Sequence, residues 1–161
     1  RHGAVAAQTV DFGGQQVTIS AMHLEWPWPK LQPKQLNWLK PLFNEIRGSG
    51  GPVLIGGDMN ATPWSAALET IAFETGTLVL PQAWGTWIFN GLPKGLAPWL
   101  GLPIDNILAG GGVLLVSAKT LGAIGSDHRP ILVEFTLARE RRPAPGQYRQ
   151  RLARVGEQDL R

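Results

Sequence analysis

The run Val53-Leu54-Ile55 most narrows what this chain can fold into. It stands between Pro52 and Gly56 with no polar residue to mark a solvent side. A strand that reads this way is covered on both faces, which calls for a layered α/β arrangement. The run passes directly into Gly56-Gly57-Asp58-Met59-Asn60. A strand of a rigid sheet therefore ends in a carboxylate and an amide, the loop position from which scaffolds present reactive groups.

Periodicity extends this picture in both directions. Residues 4–10 and 16–22 read as strands joined by a hairpin turn at Asp11-Phe12-Gly13-Gly14. In the second, Val17, Ile19 and Ala21 share a face, and His23 falls at its end. Trp26-Pro27-Trp28-Pro29 forces a loop, because each Pro fixes φ and removes a donor. Leu36, Leu39, Leu42, Phe43 and Ile46 recur at helical spacing and predict a helix over 33–47, ending near Gly48 with a kink or break at Pro41. Thr62-Pro63 reads as an N-cap and first helical residue, with a helix over 64–73. Residues 84–89 form an apolar run, followed by a Gly/Pro/Leu/Trp loop to 103. Residues 78–80, 104–109, 113–116 and 129–137 read as strands, the last with Ile131, Val133, Phe135 and Leu137 on one face. The expected division is a folded unit over 1–137 and a basic, flexible tail over 138–161, with one helical turn near 148–155.

Composition excludes several classes. The chain has 161 residues and no Cys, so it has no disulfide, thiolate nucleophile or Cys-ligated zinc. No apolar run approaches the ~18 residues of a membrane-spanning helix. The net charge of +3 comes from the tail: residues 138–161 hold seven Arg against Glu140, Glu157 and Asp159, while the rest of the chain sums to −1. A near-neutral body is not a clamp for long nucleic acid, although the tail suits an anionic surface. The apolar loop 92–100, with one Lys, suits either packing over the core or a membrane interface. Seven Trp are expected mainly at layer edges, where the indole N–H finds a partner.

Four polar clusters stand at strand ends: His23, Asp58 with Asn60, Asp105 with Asn106, and Ser126-Asp127-His128. Asp58 and Asn60, two apart on an extended segment, point the same way. They join a group that can deprotonate water to one that can donate to a phosphoryl oxygen, though an Asx turn accounts for the pair equally well. Asp127 offers oxygen to a hard cation, or caps backbone amides, and His128 can act as base or donor. Asp105, in an apolar strand, needs a partner, and His128 is the natural one, because a carboxylate fixes the imidazole tautomer. A Ser-His-Asp hydrolase is disfavoured, since there is no Gly-x-Ser-x-Gly elbow and Ser126 lies too near His128.

The order and spacing of these clusters are more specific than any one of them. His23-Leu24, Gly57-Asp58-x-Asn60-Ala61-Thr62-Pro63, Thr86-Trp87, Ile104-Asp105-x-Ile107-Leu108 and Ser126-Asp127-His128-Arg129-Pro130 together resemble the C-terminal half of the endonuclease/exonuclease/phosphatase superfamily. The resemblance implies a truncated four-layer α/β/β/α sandwich, deoxyribonuclease-like, with mixed, mostly antiparallel sheets. It implies hydrolysis of a phosphoester by activated water with Mg²⁺ or Mn²⁺. Asp58 would activate the water, Asn60 would hold a phosphoryl oxygen, and His23 would serve the leaving group. His128, polarised by Asp105, would contact the phosphate, and Asp127 would ligate the metal.

The substrate would be a phosphoester of nucleic acid, a phospholipid headgroup or a small molecule. Nothing before His23 resembles the family's Asn and Gln-Glu motifs, whose Glu is a principal metal ligand, and Asn106 stands where His or Tyr is common. The expectation is therefore an incomplete, weakly active or inactive fragment that self-associates through an exposed sheet edge. The alternative is a non-catalytic binding or scaffold module that keeps the fold. The stretch 23–29 looks most like bacterial members with an N-terminal membrane segment, which implies an anchored parent protein.

Overall fold

The computed structural model describes residues 4–81, 85–89 and 100–138. β1 (Val5–Phe12) and β2 (Gln15–Met22) form the expected hairpin. Its turn is Gly13-Gly14, with φ of 62° and 91°, and the Asp11 carboxylate accepts from the Gly14 amide at 2.9 Å. α1 (Leu31–Gly48) then returns the chain so that β3 (Val53–Asp58) lies parallel to β2. After α2 (Ala66–Thr75) come β4 (Thr77–Val79), β5 (Asp105–Gly110), β6 (Val113–Thr120) and β7 (Ile131–Leu137). Five strands make one mixed sheet in the order β1-β2-β3-β5-β4, with only the β2–β3 pairing parallel. β6 and β7 form a separate antiparallel ribbon.

Both helices cover one face of the sheet. Leu36, Leu39, Phe43 and Ile46 of α1 and Leu68 and Ile71 of α2 are buried with Met22, Val53, Ile55 and Leu108 of the strands. Burying each such side chain stabilises by about 1.5–3 kcal/mol, so this face holds most of the folding energy. Strand alternation sends Ile19, Ala21, Leu54 and Ile107 to the other face. The ribbon covers one end of that face, where the Phe135 ring lies 5.4 Å from Phe12. Elsewhere the face is open: Ile19 is 36% exposed, and Leu114, Val116 and Leu132 of the ribbon are also exposed. The architecture is a truncated sandwich, with its helices, one sheet and a two-stranded piece of the second.

Two expectations need correction. Pro41 does not break α1, which runs through it. Pro41 is exposed, so the Asn37 carbonyl it leaves unbonded faces water, while Leu39 and Phe43 anchor both halves of the helix. The cap of α2 is Ser65, not Thr62: the Ser65 hydroxyl accepts from the Leu68 amide at 3.3 Å, and residues 62–65 form a turn before the helix. Within the apolar run 84–89, Trp87 makes only isolated bridges, to Leu102 and to His128. Trp84, most of the loop 90–103, and the tail from residue 139 with its expected helical turn lie outside the described residues.

Candidate active site

The pairing of β3 with β5 places Asp58 directly opposite Asp105. Directly paired residues share a face, here the one turned away from the helices. β2 reaches the same place through Gly57, where φ is 144° and a Cβ would lie 2.0 Å from the Met22 carbonyl oxygen. Only glycine allows that approach, and it sets His23 beside Asp58. His128 enters from the other side on the segment before β7, where Ile88 N donates to Asp127 O at 2.9 Å and Arg129 N to Thr86 O at 2.8 Å.

The side chains converge. His128 Nδ1 lies 2.9 Å and 3.1 Å from the two oxygens of Asp105. An ionised carboxylate only accepts, so Nδ1 carries the proton and Nε2 faces the cleft. Asp58 Oδ2 lies between two imidazoles, 3.6 Å from His23 Nε2 and 3.9 Å from His128 Nε2. Asn60 follows in a left-handed turn with φ of 44°; its amide donates to Asp58 Oδ1 at 2.9 Å, and its Nδ2 donates to Leu24 O at 2.7 Å. The Asx turn and the polar pair are thus one structure: the turn orients the Asp58 carboxylate. Five of the six expected site residues meet here.

Asp127 stands apart from the other carboxylates, with Oδ2 accepting from the Trp87 indole at 3.0 Å. The structure groups Asp58, Asp105 and His128 as possible metal donors, one ligand atom of each lying within 4.8 Å of the others, and this group does not include Asp127.

Electrostatics separate these groups. Desolvation pushes the Asp58 carboxyl above its ordinary value, helped by the neighbouring charge of Asp105 and opposed by the Asn60 amide and both imidazoles. Burial pulls His128 down, but the hydrogen bond and charge of Asp105, with the charges of Asp58 and Asp127, outweigh it and leave it above the usual histidine value. The Trp87 hydrogen bond holds exposed Asp127 below the ordinary carboxylate range.

A cleft of about 550 Å³ opens over His23, Trp26, Asp58, Asn60, Trp87 and His128. A second, of about 390 Å³, is bordered by Asp105, Ile107, Ile124 and the other side of His128.

The supporting roles of several residues escaped the sequence reading. Gln32, buried at the start of α1, donates from Nε2 to Glu25 O and Met59 O, both at 2.9 Å. It ties the loop after His23 to the loop before Asn60. Gln35 Oε1 accepts from the Glu25 amide at 2.7 Å. Thr86 Oγ1 accepts from the Asp105 amide at 3.1 Å. Asn106 is fully buried, and its Nδ2 donates to Ala61 O at 2.7 Å, pinning the loop after Asn60. A polar residue four positions before the first residue of the helical apolar stripe, Leu36, was the only signal for Gln32, and such residues usually face water.

The family model for the endonuclease/exonuclease/phosphatase family matches residues 8–128. The chain belongs to that family. Members of this family are phosphoesterases, so the chain is of a hydrolase family, typically divalent-metal dependent. Among solved structures, it is similar to the family member from Bacteroides vulgatus, with a TM-score of 0.62 and 20% identity over 84% of this chain and 55% of that one. The human Nocturnin catalytic domain with bound sulfate gives a TM-score of 0.60 and 20% identity, over 83% of this chain and 53% of that one. A mannosyl-6-phosphatase from Bacteroides thetaiotaomicron gives 0.51 and 14%, over 78% and 53%. The chain thus spans about half the length of these relatives. No curated protein matches it in sequence.

Proposed function

We propose that this chain carries one wall of a metal-assisted phosphoesterase site, in which water attacks phosphorus and the leaving-group P–O bond breaks. The observation that carries the reading is the Asp58 oxygen set between the two imidazoles, with His128 tied to Asp105 at 2.9 Å. Asp58, ionised at neutral pH, accepts the proton of the attacking water. Its raised pKa makes it a better base than an ordinary carboxylate. His23, the most open of these groups, gives a proton to the departing oxygen. The His128 Nε2–H and the second hydrogen of Asn60 Nδ2 donate to the non-bridging phosphoryl oxygens, and Asp105 keeps His128 charged and oriented.

The donor set fits a hard divalent ion. Asp127 is ionised and exposed, and the facing carboxylates of Asp58 and Asp105 repel each other unless a cation lies near. Mg²⁺ or Mn²⁺ bound by these carboxylates would neutralise charge on the phosphoryl oxygens. Because Asp127 lies outside the group formed by Asp58, Asp105 and His128, these residues would hold such an ion weakly, and we expect the 161-residue chain to be a weak catalyst.

The test is turnover of bis(p-nitrophenyl) phosphate and p-nitrophenyl phosphate, with and without Mg²⁺ or Mn²⁺. Slow, metal-dependent hydrolysis, reduced about 10²–10⁴-fold by His128→Ala, is the expected result. Hydrolysis indifferent to metal or to that substitution overturns the reading. Metal binding with no turnover at all favours the binding-module alternative instead.

A further inference from the structure

The end of the sheet that holds the site also displays aromatic rings that the core does not use. The loop after β2 carries Trp26 and Trp28, 53% and 83% exposed, and the loop after β3 carries Trp64, 73% exposed. The segment beside His128 ends in Phe89, 61% exposed, its ring 6.5 Å from that of Trp87. Each of these stretches starts from a residue of the site or its support: His23, Asn60 and Thr86. Trp26 and Trp87 line the 550 Å³ cleft itself. Pro27 and Pro29 stiffen the first loop, so its two rings lose little conformational freedom on docking.

We propose that this aromatic rim docks on a zwitterionic phospholipid surface and presents a headgroup phosphoester to Asp58 and His128. The identity of the substrate rests on the phosphoesterase reading; the docking does not. Indole rings, apolar with one N–H, favour the bilayer interface over both water and hydrocarbon. Charge argues against the other ring-stacking polymer, single-stranded nucleic acid. A strand of phosphates needs cations along its track, and among the described residues no Lys or Arg lines this cleft. The stretches around the mouth are balanced, Lys30 and Arg129 standing against Glu25 and Asp127. A charge-balanced rim rich in indole rings matches a zwitterionic interface of no net charge.

Two other parts of the chain compete for lipid and are separable. The arginine-rich stretch from residue 139 would bind anionic lipid, and salt would reverse it. The open ribbon face, with Leu114 and Val116, carries no aromatic ring among its exposed residues. Sedimentation with pure phosphatidylcholine vesicles, at low salt and at about 0.5 M salt, isolates the rim from the tail.

The expected result is binding unchanged by salt and reduced about tenfold or more by Trp26→Ala, Trp28→Ala and Trp64→Ala together. Trp28→Ala alone, at the most exposed position, should give part of that loss with an unchanged circular dichroism spectrum, while Leu114→Ser with Val116→Ser should give none. No binding to phosphatidylcholine, binding that salt abolishes, or binding lost in the ribbon variant instead would overturn the proposal. So would a single-stranded oligonucleotide bound through the same three Trp in place of vesicles. Because sedimentation needs no turnover, failure here leaves the hydrolase reading standing, and failure of hydrolysis leaves the docking result interpretable.

Discussion

On the helix-covered face of the five-stranded sheet, Val53, Ile55 and Leu108 are buried under Phe43, Leu39 and Ile71. On the other face of the same strands, Asp58 and Asp105 stand side by side, and Ile19 and the ribbon's outer residues meet solvent. The first face is apolar and close-packed, and among the described residues its buried cluster holds no titratable group. The second is thinly covered and carries two facing carboxylates, of which Asp58 is held partly out of water. A strand serves both because its side chains alternate, so β3 supplies Ile55 to the core and Asp58 to the site from one short run. Reactive groups sit where packing is weakest, and the opposite face makes up the stability.

Phe43→Ala should show the largest difference between the faces. It should lower unfolding free energy by about 3–5 kcal/mol in urea denaturation. A loss near that of an exposed position would mean the helix side is not the stabilising one.

Gln32→Met tests a residue that belongs to both regions. It keeps the side-chain volume but removes the Nε2 hydrogen bonds to the Glu25 carbonyl and to the buried Met59 carbonyl. We expect a loss of about 1–3 kcal/mol and a parallel fall in turnover, since the loops after His23 and before Asn60 come apart. Turnover unchanged at full stability loss would confine Gln32 to the fold.

Asp105→Asn acts on the open face alone. His128 has a folded pKa above its unfolded one, so its stabilisation is complete below the unfolded value and is lost as pH rises through the folded value. Removing the carboxylate should move the His128 titration, followed by NMR, to lower pH. The alkaline limb of activity should move with it, and the pH dependence of stability near neutrality should shrink. A titration that does not move would mean the observed 2.9 Å contact does not govern His128.

Asp58→Asn should have the smallest effect on stability, and of opposite sign. The folded state favours neutral Asp58, so that contribution is present below the ordinary value and is lost as pH rises through the raised one. At neutral pH the charge destabilises the fold, and Asn, which can still accept from the Asn60 amide, should raise the thermal midpoint slightly while turnover is lost. A lower midpoint would contradict the strain assigned to this face.

Much of this was legible beforehand for a physical reason: hydrophobic periodicity and turn chemistry are local. Alternation and Gly-Gly marked the hairpin, helical spacing marked the buried stripe of α1, and an Asp in an apolar strand pointed to a histidine partner. The cap of α2 was misplaced because Thr62-Pro63 and Ser65 both carry N-terminal signals, and only the 62–65 turn decides between them. The roles of Gln32 and Asn106 were invisible, because their partners are backbone carbonyls 27 and 45 residues away.

The sequence by itself determined the succession of strands and helices and which polar residues end those strands, because each follows from spacing within a few residues of chain, and the order of those clusters from His23 to Pro130 marked the family. The tertiary structure alone decided that β2 turns Ile19 and Ala21 away from the helices while Met22 faces them, that Asp58 faces Asp105, and that the Trp87 indole, not a neighbouring carboxylate, meets Asp127. Those outcomes depend on strand order and register, which are set by the energy of the whole packed sheet rather than by any local run of residues.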